Sequence, residues 1–84
     1  MKAEKIADIV EHWFYSLDKL FKIELTTNGY VIGAFIKAHD YDELKSNNIW
    51  RVISNTNLIK WKSSKNLELT ELLNGSLIKD ITAI

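Results

Sequence analysis

The chain has 84 residues, enough for one small domain with a thin core, and we expect residues 1–84 to form a single domain. Hydrophobic residues make up 46% and charged residues 26%, and the 11 basic and 11 acidic side chains cancel, which argues against binding nucleic acid by bulk charge. The absence of cysteine excludes disulfides and thiolate metal sites.

The first predicted element is an amphipathic helix at residues 3–20. Its apolar side chains recur at steps of three and four, and charged side chains occupy the other faces. The apolar positions are Ile6, Ile9, Val10, Trp13, Phe14, Leu17 and Leu20. Acidic residues interrupt this apolar pattern, so we expect neither a signal peptide nor contact with a membrane, and the cytoplasm is the default location.

A hairpin is predicted next, at residues 21–38, with Asn28-Gly29 as a type I′ turn in which both residues take positive φ. Gly33 lies in the middle of the second strand, where a glycine weakens pairing. It either lets the strand bend and another backbone approach closely, or makes room for Trp13 or Phe14 of the helix. The sequence leaves these two explanations open.

The second half of the chain alternates polar and apolar segments. Residues 39–48 predict a polar loop and residues 49–54 a strand. Residues 55–66 fit a short helix capped by Asn55 or Thr56, which we favour, or a strand at 58–62. A second hairpin is predicted at residues 67–84, around Asn74-Gly75.

Five short strands and one helix predict a mainly β fold, a small, strongly bent five-stranded barrel. The alternative is an α+β fold in which the helix packs on an antiparallel sheet.

Two segments resemble the motifs of the Sm and Sm-like small-barrel family. The first segment contains Ile23-Glu24-Leu25, Asn28-Gly29, Gly33, Phe35 and Asp40. The second contains Leu73-Asn74-Gly75, Ile78 and Ile81 at matching spacing. Two family residues are replaced or missing: the asparagine that follows the aspartate, and the arginine whose position is held by Asn74.

The resemblance implies an Sm-like or SH3-like barrel that forms a homo-oligomeric ring and binds single-stranded RNA. It implies that Asp40 accepts a hydrogen bond from a base edge while His39 or Tyr41 stacks on the base. The RNA-binding residues implied in this way are His39, Asp40, Tyr41, Asn74 and Gly75. Because the asparagine and the arginine are missing, we expect RNA binding to be weak or lost.

Other residue clusters have two interpretations each. The acidic residues near His39 fit a solvated loop better than a cation site, because the ligand spacing of an EF-hand is absent. Trp50-Arg51 and Lys60-Trp61-Lys62, followed by Lys65, could hold single-stranded nucleic acid, but tryptophans that fill the core are the favoured interpretation. With two histidines far apart in sequence and no nucleophile motif, we expect no metal, no cofactor and no enzymatic activity.

The sequence therefore predicts a small non-catalytic binding module, an Sm-like oligomer whose RNA binding is weak or lost. The alternative is a protein–protein interaction or structural module without affinity for nucleic acid.

Overall fold

The structure, a computed structural model, describes residues 1–13 and 19–84. The helices and strands, in chain order, are α1 (Ala3–His12), β1 (Phe21–Leu25), β2 (Tyr30–Phe35), α2 (Tyr41–Ser46), β3 (Ile49–Ser54), α3 (Leu58–Ser64), β4 (Glu71–Asn74) and β5 (Ile78–Ala83). Short 3₁₀ turns occupy Asn55–Asn57, Leu67–Leu69 and Gly75–Leu77. We call the last of these the β4–β5 turn.

Within the described residues, the strands form one antiparallel sheet in the order β4-β3-β2-β1-β5. Five antiparallel strands combined with an N-terminal helix confirm the coarser prediction of the fold, a mixed α and β domain. β4 and β5 are the two edge strands of the sheet, as expected for residues 67–73 and 77–83.

The helix α1 covers the core with the residues that the periodicity predicts, and Ile6 and Val10 are both buried. It ends earlier than residue 20, because the Trp13 amide closes the last turn on the carbonyl of Val10 and residues 19–20 are not helical. Leu20 instead accepts a hydrogen bond from the Ile84 amide, which continues the pairing of β1 with β5. The predicted helical positions 14–18 lie outside the described residues.

The predicted hairpin at 21–38 is present as β1 and β2, but its turn differs from the prediction. The Leu25 amide donates to the Gly29 carbonyl (2.9 Å) and the Asn28 amide donates to the Leu25 carbonyl (3.2 Å), so three residues, 26–28, lie between the bonded Leu25 and Gly29. Asn28 takes a φ of 69°, whereas the φ of Gly29 is not positive. The type I′ turn is therefore wrong, since that turn needs positive φ at both residues.

Gly33 is the residue at which β2 changes neighbours. β2 pairs with β1 through Tyr30–Gly33 and with β3 through Gly33–Phe35. A Cβ on Gly33 would overlap the carbonyl oxygen of Ile53, and its other nearest atoms belong to the backbone of Ile53 and Ser54. Close backbone approach therefore accounts for this glycine. Of the two residues in the alternative explanation, Trp13 contributes none of these nearest atoms and Phe14 lies outside the described residues.

The predicted hairpin at 67–84 is wrong, because β4 pairs with β3 and β5 pairs with β1. The Asn74 side chain accepts a hydrogen bond from the Ser76 amide (3.0 Å) and begins a 3₁₀ turn. Gly75 does not take positive φ. Without that conformation, Asn74-Gly75 does not fold β5 back onto β4.

The connections around β3 are more helical than the sequence predicts. The predicted loop at 39–48 contains α2, whose Tyr41 is buried. The helical interpretation of 55–66 is confirmed by α3, which follows Asn57, but no side-chain cap hydrogen bond is found at its start in the described structure. Neither Asn55 nor Thr56 has the predicted capping role.

The core lies between the sheet and the two helices α1 and α2. Trp50, Ile23 and Val52 are nearly or fully inaccessible to solvent. The buried cluster consists of Ile6, Ala7, Val10, Phe21, Ile23, Tyr41, Trp50, Val52, Ile78 and Ile81. Trp50 thus fills the core, as the favoured interpretation predicts, whereas Trp61 on α3 is half-buried and does not belong to this cluster.

Candidate functional site

The RNA-binding residues implied by the family resemblance lie in two connections. His39, Asp40 and Tyr41 lie between β2 and β3, at the start of α2, and Asn74 and Gly75 lie at the β4–β5 turn. The β4–β5 turn follows β4, whose Asn74 pairs with Ile49 at the start of β3.

Asp40 is engaged in an ion pair with Arg51 of β3. The guanidinium donates from Nη2 to Oδ2 of Asp40 (2.7 Å) and from Nη1 to Oγ1 of Thr70 (2.8 Å). The hydrogen bond from Arg51 lowers the pKa of Asp40, so its carboxyl group is held in the charged form. The carboxylate that would receive a base edge already has a cationic partner.

Two polar atoms of this ion pair, one on each side chain, make no hydrogen bond within the described residues. Oδ1 of Asp40 and Nε of Arg51 are buried and have no hydrogen-bond partner among the described residues. Buried polar atoms in this state cost stability. The ion pair nevertheless links Asp40, at the start of α2, to β3. The hydrogen bond from Arg51 to Thr70 links β3 to the segment before β4.

Tyr41 belongs to the core and not to a surface that could stack on a base. The residue is 8% exposed, and its ring lies edge-on to Trp50 with centroids 6.0 Å apart. Its hydroxyl donates to Oε2 of Glu11 (3.0 Å), which also accepts from Nζ of Lys45 (3.0 Å). Burial, and then the bond to Glu11, raise the pKa of Tyr41, while the bonds from Lys45 and Tyr41 lower the pKa of Glu11.

Asn74 and Gly75 have structural roles at the β4–β5 turn. Oδ1 of Asn74 accepts from both the amide and the hydroxyl of Ser76, at 3.0 and 2.9 Å. Gly75 is buried against Asn48, and a Cβ at this position would overlap the Asn48 amide group. The Gly75 amide donates to the carbonyl of Asn48 (2.7 Å).

Asn48 joins several segments, a role that the sequence analysis missed. It takes a φ of 56°, accepts from the Trp50 indole at Oδ1 (2.8 Å) and donates from Nδ2 to the carbonyl of Met1 (3.1 Å). Asparagine tolerates positive φ better than most residues, which is the one signal that could have drawn attention to it.

The structure brings Asp40 and Asn74 to one side of β3 without making a shared site. Ile49 pairs with Asn74 and Arg51 pairs with Leu72, and both β3 residues face away from Trp50 and Val52. The polar atoms of Asp40 and Asn74 are each bound within the protein. Of the five implied residues, His39 and Asn74 are exposed, and the Asn74 side chain is hydrogen-bonded to Ser76.

The sequence analysis missed a shallow cleft beside the first hairpin. It has a volume of about 240 Å³ and is lined by Lys22, Glu24, Leu25, Asn28, Gly29, Tyr30 and Lys79. Nζ of Lys22 lies 3.6 Å from Oε1 of Glu24 and 5.0 Å from the centroid of the Tyr30 ring, so its positive charge already has partners within the protein. The cleft is smaller than the ~300–1,000 Å³ of most small-molecule sites.

No group of three or more potential metal ligands occurs in residues 1–13 and 19–84. In the same part of the chain, no helix is long and apolar enough to cross a membrane.

The features best placed to meet another molecule are the two edges of the sheet. β4 exposes Leu72, and the β4–β5 turn exposes Leu77, each to 51%. β5 exposes polar residues next to its buried isoleucines, including Lys79 and Thr82. An edge strand also presents unpaired backbone groups that can pair with a further strand.

Comparisons with family models, with curated proteins and with solved structures find no match to this chain.

Proposed function

We propose that this chain is a non-catalytic assembly module of the Sm-like small-barrel type. In this proposal, β4 of one copy pairs with β5 of the next to form a closed homo-oligomer in the cytoplasm. The observation that carries the proposal is the pair of edge strands, β4 and β5, which lie at opposite ends of the strand order and are joined by one short turn. The Met1 amine binds the Ile78 carbonyl at the start of β5 (2.7 Å), so the rest of that strand would make the pairing.

The short turn supports a barrel. In a flat sheet of five strands, the two edge strands would lie about 19 Å apart, because neighbouring strands are separated by about 4.8 Å. The β4–β5 turn connects Asn74 to Ile78. Even if this segment were fully extended, its ends would lie about 14 Å apart at most. The sheet must therefore curl strongly, and the partner change of β2 at Gly33 allows it to do so.

Edge pairing between unlike strands favours a ring. β4 and β5 are different surfaces, so a contact between them is head-to-tail, and head-to-tail contacts close into a ring when the rotation permits. The exposed Leu72 on β4 would gain burial in such a contact.

RNA binding at the residues implied by the resemblance is proposed to be weak or lost. Arg51 neutralises Asp40, and Tyr41 is buried under α1 and beside Trp50. These contacts favour the alternative of a protein-interaction module without nucleic acid affinity. A uridine-rich oligomer at low salt should give no change in fluorescence anisotropy. Tight binding that falls with salt and disappears in Asp40→Asn would overturn this part of the proposal.

The assembly is tested by size-exclusion chromatography with light scattering. We expect wild type to be oligomeric at micromolar concentration and Leu72→Lys to be monomeric, since a lysine on an edge strand opposes pairing. Ile59→Lys is the matched control: it makes the same kind of change at an exposed residue of α3 and should leave the oligomer intact. A wild type that is monomeric at high micromolar concentration would contradict the proposal.

A mixing experiment distinguishes unlike edges from like edges. Leu72→Lys blocks β4, and Thr82→Lys blocks β5, so each variant alone should be monomeric. In a mixture, Leu72→Lys contributes an unblocked β5 and Thr82→Lys contributes an unblocked β4, so the two variants should form a one-to-one heterodimer. A Thr82→Lys variant that dimerises by itself would show β4 pairing with β4 and would exclude the ring.

A further inference from the structure

The two Asn-Gly pairs of the sequence, Asn28-Gly29 and Asn74-Gly75, lie in different surroundings in the fold. An Asn-Gly pair can react with itself, because the glycine has no side chain that keeps its amide nitrogen away from the carboxamide of the asparagine. The protein therefore offers the same local chemistry in two structural settings.

Asn28-Gly29 is accessible for this reaction. Both residues are exposed, and a Cβ at Gly29 would meet no atom within 4 Å. Within residues 1–13 and 19–84, neither the Asn28 side chain nor the Gly29 amide makes a hydrogen bond. The carboxamide and the amide nitrogen can thus approach each other without breaking a contact of the fold.

Asn74-Gly75 is held at both reacting groups. Oδ1 of Asn74 accepts from the amide and the hydroxyl of Ser76, at 3.0 and 2.9 Å. The Gly75 amide donates to the carbonyl of Asn48 (2.7 Å), and Gly75 is buried. The same reaction would have to break these hydrogen bonds and expose Gly75, so the fold protects this pair.

We propose that Asn28 is a site of spontaneous deamidation in the folded protein and that Asn74 is protected from it. The Gly29 amide nitrogen loses its proton to solvent base and forms a bond to Cγ of Asn28. The bond from Cγ to Nδ2 breaks, and ammonia leaves with a proton from solvent. Water then opens the resulting cyclic imide at one of its two carbonyls, which leaves aspartate or isoaspartate at position 28.

The product carries a new carboxylate in the shallow cleft beside the first hairpin. Asn28 lines this cleft together with Lys22, Glu24 and Lys79. These three charged side chains leave one positive charge, which the carboxylate at position 28 neutralises. Deamidation therefore changes the electrostatics of this surface without any change in the encoded sequence.

Isoaspartate also changes the backbone, because it inserts a methylene group into the main chain. Thr26, two residues before the modified position, donates its amide to the carbonyl of Leu77 in the β4–β5 turn (2.8 Å). Lengthening the chain at Asn28 therefore acts on a loop that contacts this turn. The proposal does not depend on the assembly proposed above.

The test incubates the full chain at mildly alkaline pH and follows each asparagine by peptide mass spectrometry, in which deamidation adds about 1 Da. We expect Asn28 to convert at least about tenfold faster than Asn74, because the hydrogen bonds at Asn74-Gly75 must open first.

Two variants assign the reaction to the proposed atoms. Gly29→Ala should slow conversion of Asn28 at least about tenfold, since a methyl group beside the amide nitrogen hinders its attack. The matched control Thr27→Ala alters an exposed residue of the same loop and should convert as wild type.

Two synthetic peptides, residues 24–33 and residues 70–79, separate the effect of the fold from that of the local sequence. Neither peptide can form the contacts that protect Asn74 in the folded chain. We expect the two asparagines to convert at rates within about threefold of each other in the peptides.

Two outcomes would overturn the proposal. Equal conversion of Asn28 and Asn74 in the folded chain would show that the contacts of the β4–β5 turn give no protection. An Asn28 that stays intact in the folded chain, while the peptide of residues 24–33 converts, would show that the loop itself prevents the attack.

Discussion

At Gly33, the backbones of β2 and β3 come closer than any other residue type allows. The carbonyl oxygen and carbon of Ile53 and the Cα of Ser54 occupy the place where a side chain would begin, and backbone atoms cannot move aside as a flexible side chain can. A substitution here must push the two strands apart where β2 leaves β1 for β3.

We therefore expect Gly33→Val to lower the free energy of unfolding by about 1–3 kcal/mol. Urea denaturation followed by circular dichroism measures the change. Gly29→Ala is the matched control, because a Cβ at Gly29 meets no atom within 4 Å and its φ is not positive. It should change stability by less than about 0.5 kcal/mol, and equal stability of Gly33→Val and wild type would contradict the close approach.

The ion pair of Asp40 and Arg51 predicts a dependence of stability on pH. Arg51 lowers the pKa of Asp40 in the folded chain below its value in the unfolded chain. The pair therefore stabilises the fold fully above about pH 4, and this contribution is lost as the pH falls through the folded pKa. Urea titrations should show that wild type is more stable than Asp40→Asn at pH 6 and that the difference shrinks below pH 4.

Asp42→Asn is the control for losing one negative charge from the same connection, since Asp42 is exposed on α2. If wild type and Asp40→Asn differ equally at pH 6 and pH 3, the ion pair does not contribute as argued.

Among the elements, the β4–β5 turn packs its glycine tightly against a side chain of the α2–β3 connection. Gly75 fits against the amide of Asn48, and Asn48 needs positive φ. Gly75→Ala should destabilise the wild-type fold by about 1–3 kcal/mol, because the added methyl overlaps that amide. In an Asn48→Gly background, which keeps the positive φ and removes the amide, the same change should cost less.

The double-mutant cycle of these two substitutions should give a coupling energy of about 0.5–3 kcal/mol from urea denaturation. Additive effects would mean that the overlap is relieved elsewhere. The same cycle between Gly75→Ala and the distant Gly29→Ala should show additivity.

The sequence predicted those elements whose signals are local. β3 matches its predicted bounds, because alternating β-branched and aromatic residues between polar segments mark a strand. α2 was missed, because its buried Tyr41 stands among polar residues and a six-residue helix gives no clear periodicity. The second Asn-Gly misled the prediction, since a turn signal does not report which strands will pair.

The candidate site was less predictable than the fold. The resemblance placed Asp40 and Tyr41 beside a bound base, but the side chains that occupy them, Arg51 and Glu11, come from other elements. Which side chains meet across elements depends on packing, and periodicity along the chain does not encode it. The two sheet edges were expected from the sequence.

At the scale of the whole molecule, pairing of edges would couple stability to concentration. If copies join through β4 and β5, the folded state gains stability by mass action, and the melting temperature rises with protein concentration. Differential scanning fluorimetry over a hundredfold range of concentration should show this rise for wild type. The rise should be absent in Leu72→Lys and present in Ile59→Lys.

The strand order also fixes how late the fold can be completed. β5 pairs with β1, so Ile23 cannot meet its partner Ile81 until the last strand of the sheet is in place. β4 and β5 are neighbours in sequence, but they do not pair with each other. Contacts between distant segments slow folding, because a large loop must close before they form. During synthesis, β1 leaves the ribosome long before its second neighbour exists, and its apolar residues Phe21 and Ile23 are without one side of their sheet until β5 follows.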